Sequence, residues 1–139
     1  ASLAPGRVLV KVPVTQEGAE TARRLLAEGV EITFTACYAV PQVLIAAALG
    51  ARYIAPYLGR ISDGGEDGLA TLQAMQRCLE GLGSSTRLLV ASLRSANDLP
   101  DLAAAGIDTF TLRPTIAAEL FACGATAEAA AQFERDALG

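Results

Sequence analysis

Val8-Leu-Val-Lys-Val-Pro-Val14 decides how the chain is read: four valines, a leucine and a proline surround a single lysine. A run this short and this apolar suits a strand of a parallel sheet, where both faces are covered. A lysine inside such a strand carries a large desolvation cost unless it is paired or uncharged. Outward from it the pattern repeats. Val8 to Val12, Glu31 to Thr35, Tyr53 to Ala55, Leu88 to Ala91 and Thr109 to Leu112 read as five strands. Between them lie helical spacings, with Ala19, Ala22, Leu25 and Leu26 on one face, and Leu69, Leu72, Met75, Leu79 and Leu82 on another.

The punctuation agrees with a βα unit repeated in order. Gly29, Gly50, Gly83 and Gly106 stand where helices should stop. Ser95-Ala-Asn97-Asp98 and Thr126-Ala-Glu128 offer helix starts. A last helix is expected from about Ala127 to Ala137, with Ala130, Phe133 and Ala137 on one side. Five such units fit part of a (βα)8 barrel or an open doubly wound sheet, and periodicity does not separate them. Neither GxGxxG nor GxxxxGK[ST] is present, which weakens nucleotide-binding versions of the open sheet.

Composition narrows the chemistry. A net charge of −4 without a basic run argues against nucleic acid. No apolar stretch reaches the roughly 20 residues of a membrane span, and the expectation is a soluble cytoplasmic protein. The absence of histidine removes His-based triads, His general bases and His-ligated metals from the chain's own repertoire. Cys37, Cys78 and Cys123 are too scattered for a disulfide framework or a CxxC metal site, so buried reduced thiols are expected.

In parallel α/β folds function sits at the carboxyl ends of the strands. The polar residues there are Lys11, Thr33 and Thr35, Tyr57 with Arg60, Ser92 with Arg94, and Thr111 with Arg113. Two readings of Lys11 weigh evenly on composition. Desolvation favours the neutral amine that attacks a carbonyl to form an imine; alternatively, a strand-end lysine extends its ammonium into solvent. Arg60 and Arg94 follow different strands and together would clamp an anion, although singly each reads as a solvated arginine. Tyr57, Thr35 and Ser92 are individually ordinary packing or hydrogen-bonding residues, and only their joint placement on one rim raises a functional reading. Ser62-Asp-Gly-Gly-Glu-Asp-Gly68 lacks the ligand spacing of a calcium loop and reads as a turn capping the next helix.

Val10-Lys-Val-Pro-Val-Thr15, Thr35-Ala-Cys-Tyr38, Ala55-Pro-Tyr-Leu-Gly-Arg-Ile61 and Ala91-Ser-Leu-Arg94 occur in the order and spacing of one family. In them the chain resembles the small transaldolases and the related fructose-6-phosphate aldolases, from about Gly6 to Leu138. The resemblance implies a (βα)8 TIM-barrel fold, of which residues 1–139 form one partial barrel domain: about five βα units, strands four to eight, plus a C-terminal helix. It implies class I chemistry without metal or organic cofactor. Lys11 would be the Schiff-base lysine, Thr35 would hold the catalytic water, and Tyr57 would stand at a position that is tyrosine in the aldolase branch. Arg60, Ser92 and Arg94 match the phosphate-binding positions, whereas Arg113 has no motif behind it and reads as a surface arginine. Most transaldolases have phenylalanine in place of Tyr57, which tilts the expectation toward aldol addition with a small ketone donor.

By the same match the sequence starts almost at the fourth strand. The family's first three βα units, with their aspartate and asparagine, fall outside it. An open barrel implies a homo-oligomer or a complementary chain, because sheet edges and an apolar interior need covering. The expectation is an enzyme of sugar phosphate metabolism, such as the pentose phosphate pathway, acting on a sugar phosphate or a small ketone or aldehyde. The alternative is a truncated, non-catalytic assembly or phosphate-binding module.

Overall fold

Each strand hands its chain to a helix through a local device, beginning with β1 (Leu9–Pro13) and α1 (Gln16–Ala27). Thr15 caps α1, its Oγ1 accepting the Gly18 amide at 3.0 Å. A computed structural model describes residues 8–139; Gly6 and Arg7, where the resemblance starts, lie outside them. β2 (Glu31–Cys37), α2 (Gln42–Leu49), β3 (Tyr53–Pro56), α3 (Leu58–Asp63), α4 (Gly68–Gly81) and β4 (Arg87–Leu88) follow. The chain continues through α5 (Asp98–Ala104), α6 (Pro114–Glu119) and α7 (Gly124–Leu138). Gly50 ends α2 with φ 70°, and the other expected stops, Gly29, Gly83 and Gly106, share its left-handed backbone.

The strands pair in parallel in sequence order, β1-β2-β3-β4. Five strands are expected from the sequence, and the described residues contain four: Thr109 to Leu112 is reduced to a single parallel bridge between Val90 and Phe110. Val90 donates to the Thr109 carbonyl at 3.0 Å and Thr111 to the Val90 carbonyl at 2.8 Å, so the segment takes the fifth place in the order without forming a ladder. β4 is likewise short, although Leu89 and Ala91 continue to bond to the Ile54 and Pro56 carbonyls.

Alternation divides the sheet into two unlike faces. Val12, Ile32, Phe34, Ile54, Leu88 and Val90 are buried in the core, which Ala22, Val43, Ala46, Leu72, Met75 and Leu79 of the helices complete. Lys11 pairs with Thr33, Thr33 with Tyr53, and Tyr53 with Arg87, so the opposite face carries a polar row. Leu82, expected on the buried face of α4, is 56% exposed because it caps the helix beyond its last turn.

The Ser95-Ala-Asn97-Asp98 start does open a helix, α5, at Asp98, with the Ser95 hydroxyl accepting the Asn97 amide at 3.1 Å. Two further expectations are corrected. α7 starts three residues earlier than expected, after Cys123, so Thr126 falls inside its first turn; no α7 residue is buried, Phe133 included. Of the three thiols only Cys37 is buried, whereas Cys78 is intermediate and Cys123 exposed, following its place at the start of the uncovered α7.

Candidate functional site

Lys11 stands in the middle of β1 and is exposed. Of the two readings of Lys11, the solvent-reaching one fits this exposure: among the described residues β1 pairs only with β2, and its apolar neighbours alternate between the faces. It shares the polar face with Thr35, whose strand position pairs with Pro13, two residues beyond Lys11. That offset is about 6.6 Å along the strand.

Thr35 and Tyr57 meet directly, Thr35 Oγ1 lying 2.8 Å from the Tyr57 hydroxyl. A bulge in β2 makes this possible. Phe34 pairs with Ile54, but Cys37, not Ala36, pairs with Pro56. The extra residue, Ala36, takes φ 56° and resets the alternation, leaving Thr35 on the polar face while Cys37 enters the core. Burial pushes the Cys37 thiol up to about 12, outweighing the opposing backbone hydrogen bond of Ala39. Ser92, at φ 60°, is the other described non-glycine residue in the left-handed region. One of these positions adjoins Thr35 and the other is the candidate residue Ser92 itself.

The arginines belong to one construction. The Leu58 amide donates to the Ala91 carbonyl and the Gly59 amide to the Ser92 carbonyl, each at 3.0 Å, so the start of α3 is bonded to the segment after β4. The approach requires glycine: a Cβ on Gly59 would lie 2.5 Å from the Ser92 oxygen and 2.6 Å from Arg94 Nε. Arg60 then stacks over Tyr57, its Cζ 5.0 Å from the ring centroid, and donates to the Tyr38 hydroxyl at 3.4 Å. That Tyr38 hydroxyl leads the influences that hold the exposed Arg60 guanidinium protonated. Arg94 pairs with Asp63, at the end of α3.

A cavity of about 620 Å³ is lined by Tyr57, Arg60, Ser92, Arg94, Thr111 and Arg113, together with the leucines and alanine between them. It gathers four of the six expected site residues. Thr35 touches it through Tyr57, and Lys11 lies outside its lining.

Four features escape a residue-by-residue reading of the sequence. Tyr38 sits edge-on to Tyr57 with centroids 5.6 Å apart, and its place in Thr35-Ala-Cys-Tyr38 was the available signal. Asp63 is three residues from Arg60, a helical spacing that points to the wrong arginine. Arg113 is exposed, as expected, and nevertheless lines the cavity. Finally, Lys11 is the sole lysine of the sequence, every other cationic side chain being arginine. Among the described residues no group of His, Cys, Asp or Glu is placed to hold a metal ion, and no helix is long and apolar enough to cross a membrane.

A parallel α/β chain with its polar groups gathered where strands hand over to helices has the arrangement in which such folds carry their sites. The family model described as transaldolase/fructose-6-phosphate aldolase matches residues 1–138, and the chain belongs to that family. It is 33% identical over 139 residues to a probable transaldolase of Caulobacter sp. (strain K31), covering 100% of this chain and 64% of the relative. It is 35% identical over 136 residues to a probable transaldolase of Phenylobacterium zucineum (strain HLK1), covering 98% and 62%. A probable transaldolase of Lactiplantibacillus plantarum is 33% identical over 129 residues, covering 93% and 59%. The chain thus spans about three fifths of the length of these curated relatives.

Proposed function

We propose that the chain carries the imine-forming part of a class I aldolase or transaldolase site for sugar phosphates, with Lys11 as the amine. The observation that supports this is the placement of the sequence's sole lysine on the sheet face that also carries the Thr35–Tyr57 hydroxyl pair. The neutral Lys11 amine adds to the carbonyl carbon of a small ketone, and loss of water gives the imine, next to which a carbon–carbon bond is made or broken. The hydroxyl pair holds the water and passes protons. Arg60, Ser92 and Arg94 receive the phosphate end of the partner through charge-assisted hydrogen bonds. The Tyr57 hydroxyl tilts the chemistry toward aldol addition with a dihydroxyacetone-type donor. On this reading residues 1–139 are one arc of a (βα)8 barrel in the cytoplasm, which works as a homo-oligomer or with a complementary chain.

The test is reduction with borohydride in the presence of dihydroxyacetone. The expected product is one reduced ketone added to the peptide that contains Lys11, and none in a Lys11→Met variant. An adduct confined to the terminal amine, or no adduct, would sink the catalytic reading. The exposure of Lys11 favours a second reading, a phosphate-binding assembly module; its signature is phosphate binding with no adduct.

A further inference from the structure

Arg113 differs from the other arginines of the cavity in being uncommitted. Arg94 is paired with Asp63, and Arg60 is occupied by the Tyr38 hydroxyl and the Tyr57 ring. Among the described residues the Arg113 side chain makes neither an ion pair nor a hydrogen bond. Its backbone is nonetheless fixed. Thr111, two residues earlier, is bonded to the Val90 carbonyl through its amide at 2.8 Å and its hydroxyl at 3.3 Å. Pro114 follows and holds Arg113 extended, at φ −73° and ψ 150°. Beyond it Glu119 of α6 accepts the Ala96 amide at 2.8 Å, which ties α6 to the loop that carries Arg94. Arg113 is therefore a cation carried on a fixed backbone that lines the same 620 Å³ cavity as the Arg60 and Arg94 side chains, of which Arg94 is already paired.

We infer that Arg113 is the third anion-recognition residue of this cavity and makes it selective for dianionic phosphate monoesters over singly charged anions. The inference rests on the sugar phosphate reading above. Charge decides it. Arg60 and Arg94 with the Asp63 carboxylate leave a surplus of one positive charge, enough for a carboxylate or a monoanionic phosphate. With Arg113 the surplus is two, the charge that a phosphate monoester approaches above its second pKa of about 6. Guanidiniums from three separate strand ends can also surround the phosphoryl oxygens, where two would reach one side.

The experiment is calorimetric titration of the full chain with glycerol phosphate at low salt, at about pH 5 and pH 8, with acetate as the singly charged comparison. Wild type should bind more tightly at the higher pH and prefer the phosphate to acetate. Arg113→Ala should weaken binding at the higher pH about tenfold, the effect of one exposed charge-assisted contact. It should also flatten the pH dependence and leave acetate affinity unchanged; Arg113→Lys should restore part of the loss. Arg94→Ala weakening the phosphate while Arg113→Ala binds it as wild type does, at both pH values, would overturn the role of Arg113 alone. Failure of wild type to bind glycerol phosphate would overturn both this inference and the sugar phosphate reading, whereas an imine adduct at Lys11 would still stand.

Discussion

Thr35 and Tyr57, twenty-two residues apart in sequence, share one hydrogen bond of 2.8 Å across the bulged edge of β2. Both are half-buried, so the bond is worth about 0.5–1.5 kcal/mol. A double-mutant cycle of Thr35→Val and Tyr57→Phe, read by urea unfolding, should show a coupling of that size. Strict additivity would mean that the hydroxyls act separately.

Gly59→Ala tests the joint between α3 and the segment after β4. The added methyl would meet the Ser92 carbonyl and the Arg94 side chain at contact distances that atoms do not tolerate. A loss of about 1–3 kcal/mol is expected, as for other overpacked sites, together with weaker phosphate binding. Wild-type stability in this variant would show that α3 does not rest on Ser92.

Thr86 is a buried polar residue away from the site, its hydroxyl donating to the Ala51 carbonyl at 2.7 Å. Thr86→Val keeps the shape and removes the donor. Unfolding should become easier by about 1–3 kcal/mol, with phosphate affinity unchanged.

The cysteines should separate by reactivity. Cys123 is exposed, and hydrogen bonding from Thr126 leads the influences that lower its thiol, so it should be alkylated first. Cys37, held up to about 12 by burial, should react only on unfolding. The folded Cys37 keeps its proton to about 12 while the unfolded thiol loses it near 9.0, so the unfolded state binds fewer protons between those values. Stability should therefore fall as pH rises through that window, and the Cys37 thiol should add no pH dependence below it. The difference in urea midpoint between wild type and Cys37→Ala, constant at lower pH, should change only above about pH 9.

The strands of the first three units were legible because short β-branched and apolar stretches declare them, and they begin within a residue of expectation. Thr109 to Leu112 reads equally well yet forms one bridge, since a ladder needs a partner of matching length and β4 supplies two residues. α3 and α6 were both missed, because six residues carry no helical period, although Pro114 in the first turn of α6 was an available signal. At the site, motif order pointed to Tyr57, Arg60, Ser92 and Arg94, and these four line one cavity. Composition left Lys11 open between a desolvated amine and a solvent-reaching ammonium, because strand composition does not tell which face or neighbour a side chain meets. Arg113 carries no motif in the sequence, and its place in the lining comes from the fold.

The two main-chain bonds from Leu58 and Gly59 to the Ala91–Ser92 carbonyls work as a coupling rod. Arg60 sits one residue beyond one end and Arg94 two beyond the other, so the stretches of backbone that carry the two cations are joined where they pass. The joint is made of peptide groups, which every sequence possesses, so side chains around it can be exchanged without removing it. Gly59 is the exception, the one place where drift would jam the rod.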